Sequence, residues 1–170
     1  MQFPTQITTQ RLLLRQFAHE DWHALHEHYG DPECTKFTFR LALSEGETWR
    51  AMASLAGHWH LRGYGPFAVV EASSGQVAGT VGLWAPNDWP EPEIKWALSQ
   101  RFWRKGYASE AVRSIQAVAT PYFGGRPPIS LIAEDNEPSL GLAQAVGAKL
   151  ERVLEFRGSP WHMYRHPPRQ

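Results

Sequence analysis

The spacing of apolar positions changes period several times along the chain, and each change marks an element. QRLLLRQF (10–17) reads as a short strand, with Arg11 and Arg15 flanking apolar residues. Ala18–Tyr29 places Trp22, Leu25 and Tyr29 near one face of a helix that ends at Gly30-Asp31-Pro32. Glu45–Leu61 is a second helix, with Trp49, Met52, Leu55, Ala56 and Trp59 at helical spacing and Gly63 beyond its end. The pattern then turns β-rich: GPFAVVEA and QVAGTVGLW flank Ser73-Ser74-Gly75, a hairpin signal. Pro86–Pro92 is a loop and Glu93–Ser99 another strand. Helical spacing returns from Gly106 to about Thr120 through Ala108, Ala111, Val112, Ile115 and Val118. Pro127–Ala133 reads as a strand, Asn136–Val146 as a helix stopped by Gly147, and Lys149–Glu155 with Trp161–Arg165 as a closing pair of strands. The order β αα βββ α β α ββ predicts an α/β fold, one mixed sheet with helices on its faces.

Composition narrows this picture. A chain of 170 residues with 42% hydrophobic and 20% charged content fits one ordinary globular domain, 1–170. No apolar run approaches the roughly 20 residues that span a bilayer, so no membrane partner is expected. The start, MQFPTQITTQRLLLRQ, is too poor in apolar residues for a signal peptide. Cys34 is the single cysteine, which suits a reducing, cytoplasmic setting. The net charge of zero argues against nucleic acid as a partner. Residues 1–100 carry 7 Lys/Arg against 11 Asp/Glu, and residues 101–170 carry 10 against 6. The basic half would suit a polyanion of nucleotide size. Dimers are frequent among soluble proteins, and the sequence adds nothing to that expectation of a homodimer.

One turn stands out. WRKGYASEA (103–111) follows the strand EIKWALS and opens a helix. The first N–H groups of a helix lack intrahelical partners and carry the positive end of its dipole. A glycine there lets an anion approach the backbone, and Arg104 and Lys105 add charge. An ordinary turn explains the same residues, and the stretch alone does not separate the two readings. Further on, DNEPSLGLAQAVGA (135–148) has Asn136 placed to cap a helix, with Pro138 in its first turn.

WRKGYASEAV resembles the acyl-CoA pyrophosphate loop of the GNAT N-acetyltransferase superfamily, (Q/R)xxGx(G/A). DNEPSLGLAQAVGA resembles that superfamily's second signature, NxxSxxLxxxxGF. Trp103 at the first loop position, the string GYASEA, Thr9-Gln10-Arg11-Leu12-Leu13-Leu14-Arg15 and Asp31-Pro32-Glu33 are most similar to the ribosomal-protein N-terminal acetyltransferases of the Rim type. The resemblance covers nearly the whole chain in the right element order. Two departures matter: the position of the usual tyrosine acid is Ala143, and the usual aromatic after the glycine is Ala148.

The resemblance implies a GNAT-like, mostly antiparallel twisted sheet and acetyl transfer from acetyl-CoA, with no metal, to an amine. It implies a splayed strand edge, Ile94 to Leu98, whose backbone holds the pantetheine arm, so Ile94, Trp96, Ala97 and Leu98 are candidates. It places the pyrophosphate on Trp103, Arg104, Lys105, Gly106, Tyr107, Ala108 and Ser109, and puts Asn136 and Ser139 near the pantetheine and sulfur. With Ala143 unable to act, Ser139 is the candidate for hydrogen-bonding the leaving thiolate. Glu93 is the candidate base, with Glu91 or a bound water as alternatives. The acceptor pocket falls to segments 34–41, 59–65 and 159–164, whose Phe37, Phe39, Trp59, Tyr64 and Trp161 would form walls, with Asp31 and Glu33 nearby to favour a cationic acceptor. Peptide α-amines, free amino acids, polyamines and aminoglycosides all fit this description, and the resemblance to the Rim-type branch favours a protein N-terminus.

Two competing readings come from other classes. HEDWH (19–23) fits HExxH, which would make His19 and His23 zinc ligands of a hydrolase. His19 falls at the helix entrance, however, and Glu20 with Asp21 is ordinary helix-start chemistry. The second is a catalytically silent acyl-CoA binder or protein-interaction module, which would retain the same cofactor motifs.

Overall fold

The computed structural model describes residues 2–168. Eight strands form one sheet in the order β1-β2-β3-β4-β5-β6-β8-β7. They are β1 (Gln6–Thr8), β2 (Leu12–Arg15), β3 (Pro66–Glu71), β4 (Val77–Trp84), β5 (Glu93–Leu98), β6 (Ile129–Ile132), β7 (Lys149–Phe156) and β8 (Ser159–Arg165). All neighbours pair antiparallel except β5 and β6, which run parallel. This is the mixed, mostly antiparallel sheet expected from the sequence.

Five helices accompany the sheet: α1 (Asp21–Tyr29), the one-turn α2 (Pro32–Thr35), α3 (Glu45–Arg62), α4 (Tyr107–Tyr122) and α5 (Glu137–Ala145). Their ends follow local chemistry. Ser44 and Glu47 form a reciprocal capping box at the start of α3, and Gly63 closes it in the left-handed conformation. α1 begins later than the apolar spacing suggests. The Asp21 carboxylate is held by Arg15 at 2.7 and 3.0 Å and accepts from Ala18 N–H, so residues 18–20 form a turn instead. The sequence pattern also passes over α2 and β1, which are too short to show a period.

The main core lies between the sheet and α4, where Ala111, Val112, Ile115 and Ala119 are fully buried against Leu12, Leu14, Val81 and Ile94. α1 and α3 share a smaller cluster of Leu25, Tyr29 and Met52. Burying each large apolar side chain contributes roughly 1.5–3 kcal/mol, so this core anchors α4 firmly against β5.

Candidate active site

β4 and β5 pair along all of β5, from Trp84↔Glu93 to Gly79↔Leu98. On its other side β5 meets β6 at one register pair, Glu93↔Ile129. The two parallel strands therefore part after their first residues and leave a cleft that opens toward their C-terminal ends. The β4–β5 ladder continues into Ser99 N–H to Ala78 C=O at 3.0 Å. Strand geometry then turns the main-chain groups of Glu93, Lys95 and Ala97 toward β4, and those of Ile94, Trp96 and Leu98 toward the cleft. This corrects one expectation: the backbone of Ala97 is committed to β4 and does not line the edge. The Ile94 carbonyl accepts from Ser130 Oγ at 2.6 Å, and the Leu98 carbonyl accepts from Trp103 Nε1 at 2.6 Å. The edge open to a ligand is narrowed to the main chain of Trp96 and the Leu98 N–H.

From the open end of the cleft a 3₁₀ turn, Gln100–Phe102, leads to Trp103–Gly106 and into α4. Arg104 and Gly106 both have positive φ, 59° and 78°. A left-handed residue is cheap for glycine and costs other residues about 1–2 kcal/mol. The result is a concave run of backbone. Among the described residues, the N–H groups from Arg104 to Ser109 have no protein acceptor; the first bond into the helix is Glu110 N–H to Gly106 C=O at 3.1 Å. Arg104 is exposed and has no carboxylate partner there, whereas Lys105 lies 3.8 Å from Glu71.

The loop is braced from behind by residues 94 to 101 positions away. Glu110 accepts from Thr9 Oγ1 at 2.6 Å, from Arg11 N–H at 2.8 Å and from Arg11 Nε at 2.7 Å. Arg11 Nη1 also donates to the Lys105 carbonyl at 2.8 Å, and its guanidinium lies 4.8 Å from the Tyr107 ring centre. Tyr107 in turn donates its hydroxyl to Glu71. Thr9 and Arg11, noticed in the sequence only as part of TxRLxLR, thus form one network with the Glu110 of GYASEA.

Asn136 caps α5 by accepting from Ser139 N–H at 3.3 Å, which leaves its side chain a structural role. Ser139 Oγ accepts from Trp96 Nε1 at 3.1 Å, across the cleft. That leaves the Ser139 hydroxyl hydrogen free to be donated. Ala143 and Ala148 are buried in the core.

Glu93 sits at the closed end of the cleft and is 7% exposed, not a solvated strand end. Its carboxylate accepts from Trp89 Nε1 at 2.8 Å and from Leu131 N–H at 3.1 Å. Burial raises its pKa, against the lowering by those two bonds and by Lys95. Lys95, on the same face, has its ammonium 5.1 Å from the Trp84 ring centre, and burial lowers its pKa. Glu91 is different: Arg165 and Arg126 bind its carboxylate at 2.7–3.0 Å and hold its pKa down to about 2. A carboxylate so weakly basic is a poor proton acceptor at neutral pH.

Beyond the C-terminal end of β6 a cavity of about 240 Å³ is lined by Lys36, Phe37, Arg40, Ala133, Asp135, Ser159, Pro160 and Trp161. Two of the three segments expected to form an acceptor pocket, 34–41 and 159–164, meet here. The third does not, because Trp59 and Tyr64 are core residues packed with Phe3 and Phe67. Phe39 packs on Tyr29 instead. Asp31 caps α2 and accepts from Gln100, and Glu33 pairs with Lys36. The lining carries Arg40, Asp135 and Lys36, the last paired with Glu33, so Asp31 and Glu33 are not free acids beside it as expected. His19 lies in the turn before α1; it and His23 approach Glu20 at 3.9 and 3.5 Å, and the His23 ring stacks on Trp22.

Comparison with known proteins agrees with this geometry. The model of the acetyltransferase (GNAT) domain matches residues 11–149. The chain is 26% identical over 148 residues to the uncharacterized N-acetyltransferase p20 of Bacillus licheniformis, covering 86% of this chain and 83% of that one. The crystal structure of an acetyltransferase from Agrobacterium tumefaciens superposes with a TM-score of 0.85 at 23% identity, over 98% of this chain and 96% of the other. The ribosomal-protein-S5-alanine acetyltransferase from Vibrio fischeri gives 0.69 at 14%, over 95% of each chain, a likeness of fold. No helix among the described residues is long and apolar enough to cross a membrane. The chain belongs to the GNAT family of N-acetyltransferases, for which acetyl-CoA is the implied cosubstrate.

Proposed function

We propose that this protein moves the acetyl group of acetyl-CoA to a primary amine that lies close to a carboxylate, either an amino acid or a peptide N-terminus with an acidic neighbour. The observation that supports it is a run of unpaired N–H groups at Arg104–Ser109 next to the open edge at Trp96 and Leu98, with a cavity lined by Arg40, Lys36 and Asp135 beyond the C-terminal end of β6. The residues fit the cosubstrate: a concave run of N–H groups at a helix start suits a pyrophosphate, and a free strand edge suits the amides of a pantetheine arm.

Transfer is direct. The amine nitrogen bonds to the thioester carbonyl carbon, the C–S bond breaks, and the amine proton leaves. A peptide α-amine, with a pKa of about 7.7–8.0, is largely protonated at neutral pH and must first lose a proton, and a free amino acid's more basic amine still more so. Glu93 receives it, directly or through a water, because burial strengthens its proton affinity and its two hydrogen bonds fix its orientation. The Trp96 N–H stabilises the oxyanion on the carbonyl. Ser139, whose oxygen accepts from Trp96, keeps its own proton and donates a hydrogen bond that stabilises the leaving thiolate, in the absence of the tyrosine acid whose position holds Ala143. Arg40, unlike Lys36, which is paired with Glu33, has no carboxylate partner among the described residues; it attracts the acceptor's carboxylate and disfavours polyamines and aminoglycosides.

The test is thiol release from acetyl-CoA with a matched panel: amino acids, their amides, peptides with acidic or basic second residues, and spermidine. Turnover concentrated in the carboxylate-bearing amines is the expected result. Preference for spermidine or for amino-acid amides would reverse the acceptor assignment, and no turnover with any amine would leave a silent acyl-CoA binder.

A further inference from the structure

The parting of β5 from β6 has no cause in the length of either strand. β5 stays paired with β4 as far as Leu98, and β6 stays paired with β8 as far as Ile132. Both continue past the point where they separate. At that point Ile129 N–H donates to the Pro92 carbonyl at 3.1 Å, as the register pair Glu93↔Ile129 requires. In a parallel ladder the next bond would run from Leu131 N–H to Ile94 C=O. Neither group is unpaired. Leu131 N–H donates to Glu93 Oε2 at 3.1 Å, and Ile94 C=O accepts from Ser130 Oγ at 2.6 Å. A side chain from each strand thus takes one half of the same missing ladder bond.

The Ser130 hydroxyl has little freedom to let go. A carbonyl can only accept, so Ser130 gives its one hydrogen to Ile94. Its oxygen lies 2.9 Å from His166 Nε2 and must accept there, which places the imidazole hydrogen on Nε2. His166 Nδ1 then accepts from Gln116 Nε2 at 2.8 Å, and Gln116 also donates to the Val146 carbonyl at 3.0 Å. Ser130 and His166 are each 1% exposed. Burial brings the His166 pKa down to about 4, so it stays neutral near pH 7 and keeps this one donor direction. Gln116 belongs to α4, the helix whose N-terminus carries the Arg104–Ser109 backbone, so both ends of the cleft are referred to one rigid element.

We infer that Ser130 is a positioning residue for cosubstrate binding: its hydroxyl, oriented by His166 and Gln116 and matched by Glu93 on the facing strand, blocks the next β5–β6 bond and so keeps the Trp96 edge open. This rests on the assignment of that edge to the pantetheine arm. Removing the block lets the ladder extend, with Leu131 N–H bonding Ile94 C=O and Trp96 N–H bonding Leu131 C=O.

The test uses Ser130→Ala and the double variant Ser130→Ala/Glu93→Ala, with acetyl-CoA titration, the Tm of the protein alone and hydrogen exchange of the Trp96 amide. The expected result is acetyl-CoA affinity lower by about tenfold in the single variant and more in the double. Tm should be unchanged or higher, and Trp96 exchange slower. A merely structural serine would instead lower Tm and speed exchange. Wild-type exchange at Trp96, or affinity lost only in step with Tm, would overturn the inference. If the wild type itself binds no acetyl-CoA, the functional reading fails, while the exchange comparison still decides whether Ser130 opens the sheet.

Discussion

The two ends of the proposed site are built by opposite means. At the end proposed for the cosubstrate, the available groups are backbone N–H groups on a loop held by a buried helix and by the Thr9–Arg11–Glu110 network. At the end proposed for the acceptor, the lining comes from segment 34–41 and the β7–β8 hairpin, and its cations sit on long exposed side chains. Backbone recognition demands a fixed shape and tolerates many side chains. Side-chain recognition can change its partner by a few substitutions without touching the fold. On the proposed reading, the protein combines a fixed backbone grip on a constant cosubstrate with an adaptable side-chain grip on the acceptor.

The largest expected effect comes from breaking the first end. Gly106→Glu places a bulky anion where N–H groups would meet phosphate, at a φ of 78°. The strain costs about 1–2 kcal/mol, which a domain of this size survives. Loss of all acetyl-CoA response with retained folding by circular dichroism is expected; normal affinity would refute the loop assignment.

Next in size, Glu93→Gln removes the proposed proton acceptor. General base catalysis contributes roughly 10²–10⁴-fold, so kcat/KM should fall by at least about 10². Because burial raises the Glu93 pKa, the wild-type rate should fall as pH drops through that raised value, where the carboxylate takes up its proton. The variant should lose that acid limb. An unchanged pH–rate profile removes Glu93 from the role.

A smaller effect sharpens the contrast. Glu110→Ala cuts the brace while leaving every proposed contact to the cosubstrate in place. KM for acetyl-CoA should rise about tenfold, equivalent to about 1.4 kcal/mol, with little change in KM for the acceptor. Equal effects on both would mean that the brace serves general stability. Smallest of all, Arg40→Glu should raise KM several-fold for carboxylate-bearing amines only, since exposed charges contribute about 0–1 kcal/mol each. An effect on acetyl-CoA instead would move Arg40 to the other end of the cleft.

What was legible in the chain follows the same division. The element order and the Gly106 turn could be read because periodicity and helix-start chemistry are local. Even the exclusion of Ala97 from the open edge follows from strand alternation once one β4 partner is known. The network behind the loop joins residues 99 and 101 positions apart, and Ser130 stands 36 residues from both Ile94 and His166, distances at which sequence spacing carries no signal. The acceptor end misled because Asp31 and Glu33 are near Lys36 in the chain, but the single turn of α2 spends one on a cap and the other on an ion pair. Trp59 and Tyr64 misled because an aromatic that walls a pocket and one that fills a core look alike in sequence.

The most direct measurement is the thermal shift of the wild-type protein with acetyl-CoA and with free CoA. At about 100 times Kd a ligand adds roughly 2.7 kcal/mol, and a domain of this size gains roughly 2–4 °C per kcal/mol. A rise of several degrees with both species, abolished by Gly106→Glu, is the predicted result. No rise with either would contradict the account, leaving the Arg104–Ser109 backbone a turn that binds no cosubstrate.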